Sequence, residues 1–176
     1  RDELHMRRPH GRKTGERSLD QESQVGEVVF GRHATGASTF LARDFRKADV
    51  DNDGDLDLVT ANREDDPSTI SILVNDGSAI FASPVNLTGG TRSDINSLQA
   101  TDLDLDGDVD LIVGYEGSSE VITFTNGGNG TFTIGSRLTD LGTVEGVAAA
   151  DLDGDLDIDL VAADNHTSTG IMAAPR

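Results

Sequence analysis

Three stretches of the sequence place an aspartate at every second position over nine residues. They are loop 1 (residues 49–57, DVDNDGDLD), loop 2 (residues 102–110, DLDLDGDVD) and loop 3 (residues 151–159, DLDGDLDID). Neighbouring carboxylates about 4 Å apart repel each other by roughly 1 kcal/mol per pair even in water. A divalent cation offsets that repulsion, and Ca²⁺ accepts about six to eight oxygen ligands in flexible geometry. The spacing therefore predicts calcium-binding loops.

The glycine in each loop bears on how many ions the chain binds. Carboxylates at positions 1, 3 and 5 surround one point, position 6 turns sharply, position 7 offers its carbonyl, and position 9 completes the shell. Gly54 and Gly107 occupy position 6, where glycine adopts positive φ without steric cost. Loop 3 has Gly154 at position 4 and Leu156 at position 6. A left-handed turn disfavours a branched side chain by about 1–2 kcal/mol, so the sequence predicts two calcium sites and leaves the third open as weak, reshaped or empty.

Two other interpretations of the loops fit less well. An EF-hand needs a bidentate Glu at position 12 and flanking helices, but position 12 is Thr60, Val113 or Ala162 and the flanks have strand character. A solvated acidic face explains neither the glycine at position 6 nor the apolar residues at positions 2, 8 and 10. Those apolar residues are Val50, Leu56 and Leu58 in loop 1, and Leu103, Val109 and Leu111 in loop 2.

The elements that would position these loops repeat along the chain. Phe30, Phe81 and Phe132 are 51 residues apart, and each loop leads into an apolar strand. About four short strands in each repeat of roughly 50 residues are typical of a β-propeller blade. The prediction is an all-β fold of about three four-stranded units, at residues 23–80, 81–131 and 132–176, after a disordered arm or linker at residues 1–22. Propellers have about 4 to 8 blades, so three units cannot close a ring by themselves. They either form part of a larger propeller or associate with other copies, and we prefer the larger propeller.

The amino-acid composition excludes several classes of binding partner and several kinds of catalytic or metal site. The chain has 14 Lys and Arg against 32 Asp and Glu, a net charge of −18, which argues against nucleic acid and anionic membranes. It has no Cys, so disulfides and thiolate metal sites are excluded, and no apolar run suits membrane insertion. His5, His10, His33 and His166 show no metal-ligand spacing, and no Ser lies in a GxSxG motif. We expect the protein not to be an enzyme.

At the three loops the chain resembles the FG-GAP and VCBS repeat families, whose repeats form integrin-α-like β-propeller blades. The matching stretches are ADVDNDGDLDLVTA, TDLDLDGDVDLIVG and ADLDGDLDIDLVAA, and NDGSAIF and NGGNGTF resemble the blade-closing segment. The resemblance covers about residues 24–172 and implies calcium ligands at loop positions 1, 3, 5 and 9, with the carbonyl of position 7. These residues are Asp49, Asp51, Asp53, Asp57 and Asp55 in loop 1; Asp102, Asp104, Asp106, Asp110 and Asp108 in loop 2; and Asp151, Asp153, Asp155, Asp159 and Asp157 in loop 3.

The resemblance also implies an extracellular or cell-surface location with a role in adhesion or ligand binding. The predicted function is therefore a non-catalytic, calcium-binding repeat module whose further partner is a protein or a glycan. One alternative is the propeller portion of a secreted enzyme such as a polysaccharide lyase. Another is a carbohydrate-binding propeller, although sugar stacking favours exposed aromatic residues and the chain has no Trp.

Overall fold

The computed structural model describes residues 42–63, 67–89, 94–165 and 171–172. The predicted arm at residues 1–22, the Phe30 segment and the four histidines lie outside these residues. The described part of the chain is all β, as predicted, and contains no helix that is long and apolar enough to cross a membrane. Its strands are β1 (Ala42–Ala48), β2 (Asp57–Asn62), β3 (Thr69–Leu73), β4 (Val85–Leu87), β5 (Ile95–Thr101), β6 (Asp110–Tyr115), β7 (Glu120–Asn126), β8 (Phe132–Leu138), β9 (Val144–Ala150), β10 (Asp159–Asp164) and β11 (Ile171–Met172).

The strands form three antiparallel sheets in chain order. Sheet 1 has the order β1-β2-β3-β4 and sheet 2 the order β5-β6-β7-β8, which confirms the predicted four-stranded units. Sheet 3 comprises β9, β10 and β11 among the described residues. These are fewer sheets than the roughly 4 to 8 blades of a closed propeller.

The sheets divide the chain at different points from the sequence repeat. Phe132 is the first residue of β8, which pairs with β7 as the outer strand of sheet 2. Phe81 forms an isolated bridge with Asn75, just before the outer strand of sheet 1. The Phe81 and Phe132 segments therefore lie at the outer edges of sheets 1 and 2, whose last strands end at Leu87 and Leu138.

The core lies between neighbouring sheets, because alternate side chains of each strand point to opposite faces. Val59 and Ile72 of sheet 1 pack in one cluster with Leu111 and Phe124 of sheet 2. Ile112, on the other face of β6, packs in a second cluster with residues of sheet 3. The first strands of the sheets also contact each other, β1 with β5 and β5 with β9. Sheets stacked side by side with adjacent first strands are the arrangement of β-propeller blades.

Each aspartate loop is the equivalent connection in its sheet. Loop 1 joins β1 to β2, loop 2 joins β5 to β6, and loop 3 joins β9 to β10. The ninth residue of each loop, Asp57, Asp110 or Asp159, is the first residue of the second strand. The fold therefore holds all three loops between rigid strands.

Candidate metal centre

The backbone follows the same course through all three loops. Positions 4 and 6 have positive φ in each: 62° at Asn52 and 94° at Gly54, 62° at Leu105 and 97° at Gly107, and 82° at Gly154 and 76° at Leu156. Loop 3 therefore keeps the left-handed turn at position 6 although a leucine occupies it. Of the alternatives left open for loop 3, a reshaped backbone is not what the structure shows.

Carboxylates within each loop hold this course by accepting backbone hydrogen bonds. The position 6 amide donates to the position 1 carboxylate, at 2.9 Å from Gly54 N to Asp49 Oδ2 and 3.0 Å from Gly107 N to Asp102 Oδ2. The same bond in loop 3 runs from Leu156 N to Asp151 Oδ2 at 3.2 Å. Each loop thus turns its first carboxylate inward.

The carboxylates at position 9 anchor the loops to the strands. Asp110 is 1 % exposed, and its two oxygens accept the amides of Leu103 at 3.0 Å and Asn126 at 2.8 Å. Asp57 is equally buried and accepts the amides of Val50 and Asn75, both at 2.8 Å. One carboxylate therefore ties the start of its loop to the end of the third strand of the same sheet.

Three carboxylates converge in each loop, with one oxygen from each residue within 4.8 Å of the others. Positions 1 and 3 belong to every cluster, and the third member is position 5 in loop 1 but position 9 in loops 2 and 3. The clusters are Asp49, Asp51 and Asp53; Asp102, Asp104 and Asp110; and Asp151, Asp153 and Asp159. The six other predicted residues lie outside them: Asp55, Asp57, Asp106, Asp108, Asp155 and Asp157.

Buried oxygens without a hydrogen-bond partner distinguish loops 1 and 2. Asp49 Oδ1, Asp51 Oδ1 and Asp102 Oδ1 are all buried in this way. A buried anionic oxygen without a donor is costly, and a cation would satisfy it. In loop 3, by contrast, Asp151 accepts the amide of Gly154 at 2.7 Å with one oxygen and that of Leu156 with the other. Loops 1 and 2 fit a cation better than loop 3.

In loops 1 and 2 the side chain at position 7 lies outside the carboxylate cluster and over a neighbouring turn. A Cβ built on Gly77 would overlap the carboxylate of Asp55, and one built on Gly128 would overlap that of Asp108. These two carboxylates therefore lie over the turns that follow the third strands. That placement leaves the backbone carbonyl as the group that position 7 could offer to an ion.

Three loop carboxylates have raised pKa values. Burial raises the pKa of Asp51, and the carboxylates of Asp53 and Asp57 add to it. Burial also raises the pKa of Asp110, although the amides of Asn126 and Leu103 oppose the shift. The Asp155 amide lowers the pKa of Asp153, but nearby carboxylates and some desolvation together raise it more. In the absence of a cation, the fold therefore disfavours the ionised form of these three carboxyl groups.

Acid should stabilise the metal-free fold. A carboxyl whose pKa is higher in the folded than in the unfolded chain binds protons more tightly when folded, so the free energy of unfolding rises as the pH falls through the folded pKa. In EDTA we therefore expect the free energy of unfolding to increase as the pH falls from 7 towards 3.8, the ordinary pKa of these carboxyl groups in an unfolded chain. Urea unfolding at a series of pH values measures it, and a steady loss of stability from pH 7 downward would contradict it. In calcium we expect the opposite trend, because protons compete with the ion.

Sheets 1 and 2 are joined by a contact that the sequence patterns do not predict. Loop 1 lies on the turn at residues 126–130 of sheet 2, where the Val50 carbonyl accepts bonds from Gly130 N and Asn126 Nδ2, both at 2.8 Å. Asn52 Nδ2 donates to Asp108 Oδ1 at 2.6 Å and to the Gly128 carbonyl at 3.3 Å. We call this the loop–turn contact. The sequence feature that could have indicated this contact is the asparagine that begins NDG (residues 75–77) and NGG (residues 126–128), at or just after the ends of the third strands.

Replacing Leu156 with glycine should stabilise loop 3. The side chain is 75 % exposed, so little packing is lost. The left-handed φ at this position costs a branched residue about 1–2 kcal/mol. Leu156→Ala keeps the Cβ and is the matched control. We expect the glycine variant to exceed the alanine variant by about 1 kcal/mol in the free energy of unfolding, measured in urea. Equal stability of the two variants would show that the turn is not strained.

Comparison with protein-family models gives two overlapping matches to the model described as FG-GAP-like repeat. They cover residues 49–113 and residues 102–162, and therefore include all three loops. A search of curated proteins finds no matching protein.

Proposed function

The chain belongs to the FG-GAP-like repeat family, and from this premise we propose that it is a calcium-binding, non-catalytic β-propeller module that acts outside the cell in binding or adhesion. FG-GAP repeats are typical of extracellular proteins. The observation that carries the metal assignment is the set of buried carboxylate oxygens without donors in loops 1 and 2.

The donor set favours calcium over other metals. Every candidate ligand is an oxygen, and transition metals are bound more often through nitrogen or sulfur. Mg²⁺ requires near-ideal octahedral geometry and retains several waters, whereas Ca²⁺ tolerates irregular carboxylate and carbonyl shells. In loops 1 and 2, three carboxylates converge and the position 7 side chain lies outside their cluster, which leaves its carbonyl as a further oxygen ligand. This arrangement favours Ca²⁺ over Mg²⁺.

The ion would act by stabilising the fold. In loop 1 the side chains of Asp49, Asp51 and Asp53 would hold it, and its charge would cancel their mutual repulsion. Asp57 already fixes the loop to sheet 1 through two amides, so the ion would complete a preformed loop. Calcium sites in extracellular modules have dissociation constants of about 10⁻⁴ to 10⁻³ M, which suits a protein exposed to extracellular calcium.

The chemistry of the described residues supports a non-catalytic role. The loop carboxylates accept backbone amides or face the proposed ion, which would keep them ionised and unsuited to proton transfer. Burial raises the pKa of Tyr115 to about 12, so this phenol stays protonated near neutral pH and is not available as a general base. An adhesion or binding role needs no reacting group, only a rigid scaffold.

Calorimetric titration of the 176-residue chain with calcium tests the proposal. We expect two sites, and a third that binds more weakly because Asp151 has both oxygens engaged. Asp49→Asn should remove one site and Asp102→Asn the other, since each replaces the carboxylate that bears an unpartnered oxygen.

The matched control is Asp140→Asn, which makes the same charge change outside the loops. Asp140 has a φ of 63°, a left-handed conformation that asparagine tolerates. The substitution should leave both sites intact. A folded chain that binds no calcium, or that loses binding equally in all three variants, would contradict the assignment.

A further inference from the structure

Sheets 1 and 2 meet at an interface whose two halves recur elsewhere in the chain. One half belongs to sheet 1 and consists of loop 1 and the face bearing Ala48, Val59 and Ala61, all of them buried. The other half belongs to sheet 2 and consists of the turn at residues 126–130 and the face bearing Leu98 and Leu111. We call them the donor half and the receiving half.

Sheet 3 carries a second donor half with the same residue types. Counted from the first aspartate of each loop, Ala150, Val161 and Ala163 correspond to Ala48, Val59 and Ala61. Ala150 and Ala163 are exposed and Val161 is half-buried. Leu152 of loop 3 is 55 % exposed, whereas the corresponding Val50 is fully buried. No described residue covers this half.

Sheet 1 carries a second receiving half. Its turn at residues 75–79 repeats the turn at residues 126–130, with Asn75 in place of Asn126 and positive φ at Gly77 and Ala79, as at Gly128 and Gly130. Asp55 lies over Gly77 as Asp108 lies over Gly128. The groups that hold loop 1 on sheet 2 are thus reproduced on sheet 1.

This second receiving half is left uncovered by the described part of the chain. Ile80, directly after the turn, is exposed. Phe45 is 50 % exposed, while the corresponding Leu98 is fully buried against sheet 1. Leu56 is exposed, whereas the corresponding Val109 packs on the core.

We infer that a second copy of this chain fills the receiving half of sheet 1 with the donor half of its own sheet 3. Leu152 of loop 3 would offer its carbonyl to the Ala79 amide and the Asn75 side chain, as the Val50 carbonyl does to Gly130 and Asn126. Such a head-to-tail contact closes into a ring if the rotation between copies permits. The described residues of two copies contribute six sheets, within the roughly 4 to 8 of closed propellers.

The self-association does not rest on the proposed calcium binding, because its contacts come from backbone groups and apolar faces. Among the polar contacts, it would lack the hydrogen bonds that Asn52 donates across the internal interface. Gly154 stands where loop 1 has Asn52, so loop 3 lacks the amide that would reach Asp55. Gly154 has a φ of 82°, and nothing lies within 4 Å of a Cβ built there. Asparagine tolerates that conformation.

Sedimentation velocity of the 176-residue chain over a wide concentration range, in calcium and in EDTA, tests the inference. We expect reversible association that Ala163→Arg abolishes and that the matched control Ile134→Arg, an exposed apolar residue on β8, leaves intact. Gly154→Asn should tighten association roughly 10-fold, as expected of one hydrogen bond to a charged group, and Asp55→Ala should remove that gain. A monomer at every concentration, or association that survives Ala163→Arg, would overturn the inference.

Cross-linking tests the geometry independently. A Cβ on Gly130 lies 3.7 Å from the Cβ of Asp51, which is close to the Cβ spacing of a disulfide. The chain has no cysteine of its own, and the corresponding pair across two copies is Asp153 and Ala79. Mixing an Asp153→Cys chain with an Ala79→Cys chain in EDTA should give a disulfide-linked pair under mild oxidation. An Ile134→Cys chain mixed with the Ala79→Cys chain is the control. If the Asp153→Cys mixture gives no more disulfide-linked pair than this control, the inference is also overturned.

Discussion

Asp110→Ala is expected to lower the free energy of unfolding by about 3 kcal/mol or more, even in EDTA. The carboxylate is buried and accepts two backbone amides, and a buried donor that loses its acceptor costs about 1–3 kcal/mol. Without it, the amides of Leu103 and Asn126 lose their acceptor. Urea unfolding in EDTA measures the change without a contribution from metal binding.

Asp106→Ala is the matched control for this prediction. Asp106 belongs to the same loop and accepts one amide, from Asp108 at 2.9 Å, but its side chain is exposed. Water can replace that bond, and removing one charge relieves repulsion, so we expect a change within about 0.5 kcal/mol. If the two variants lost equal stability, the anchoring role of position 9 would be refuted.

Chelation of calcium is expected to lower the melting temperature by about 10 °C or more. An ion at about 100 times its dissociation constant stabilises the folded chain by about 2.7 kcal/mol per site, so two sites contribute about 5 kcal/mol. For a domain of this size, about 1 kcal/mol shifts the melting temperature by roughly 2–4 °C. Thermal unfolding followed by circular dichroism in calcium and in EDTA measures the shift.

Two control measurements show whether the change in melting temperature comes from calcium bound at loops 1 and 2. The double variant Asp49→Asn, Asp102→Asn should show little dependence on calcium, because it lacks both position 1 carboxylates with unpartnered oxygens. Magnesium at the same concentration should stabilise the wild-type chain less than calcium. An unchanged melting temperature in EDTA, for a chain shown to contain bound calcium beforehand, would exclude a stabilising role for the ion.

The sequence predicted the repeated sheets and the loops because both depend on local patterns. Alternating aspartates followed by apolar strands identify the connection between two strands without knowledge of the rest of the fold. The turn at Leu156 was harder to predict, since its steric cost suggested a different backbone. In the structure Leu156 adopts the left-handed conformation, and its amide donates to Asp151 as the glycine amides donate in loops 1 and 2.

Contacts between sheets could not be predicted from the same patterns. The bond from Asn52 to Asp108 joins residues 56 positions apart, and it forms only once sheet 2 packs beside sheet 1.

The loop–turn contact gives the molecule a preferred response to mechanical load. Pulling sheet 1 away from sheet 2 must break the bonds from Gly130, Asn126 and Asn52 together, and it must expose the apolar cluster between the sheets. Bonds loaded in parallel share the force, so sheets 1 and 2 should resist tension as one unit. Because loop 1 holds one side of these bonds, an ion that stiffens the loop would raise the force at which the two sheets separate.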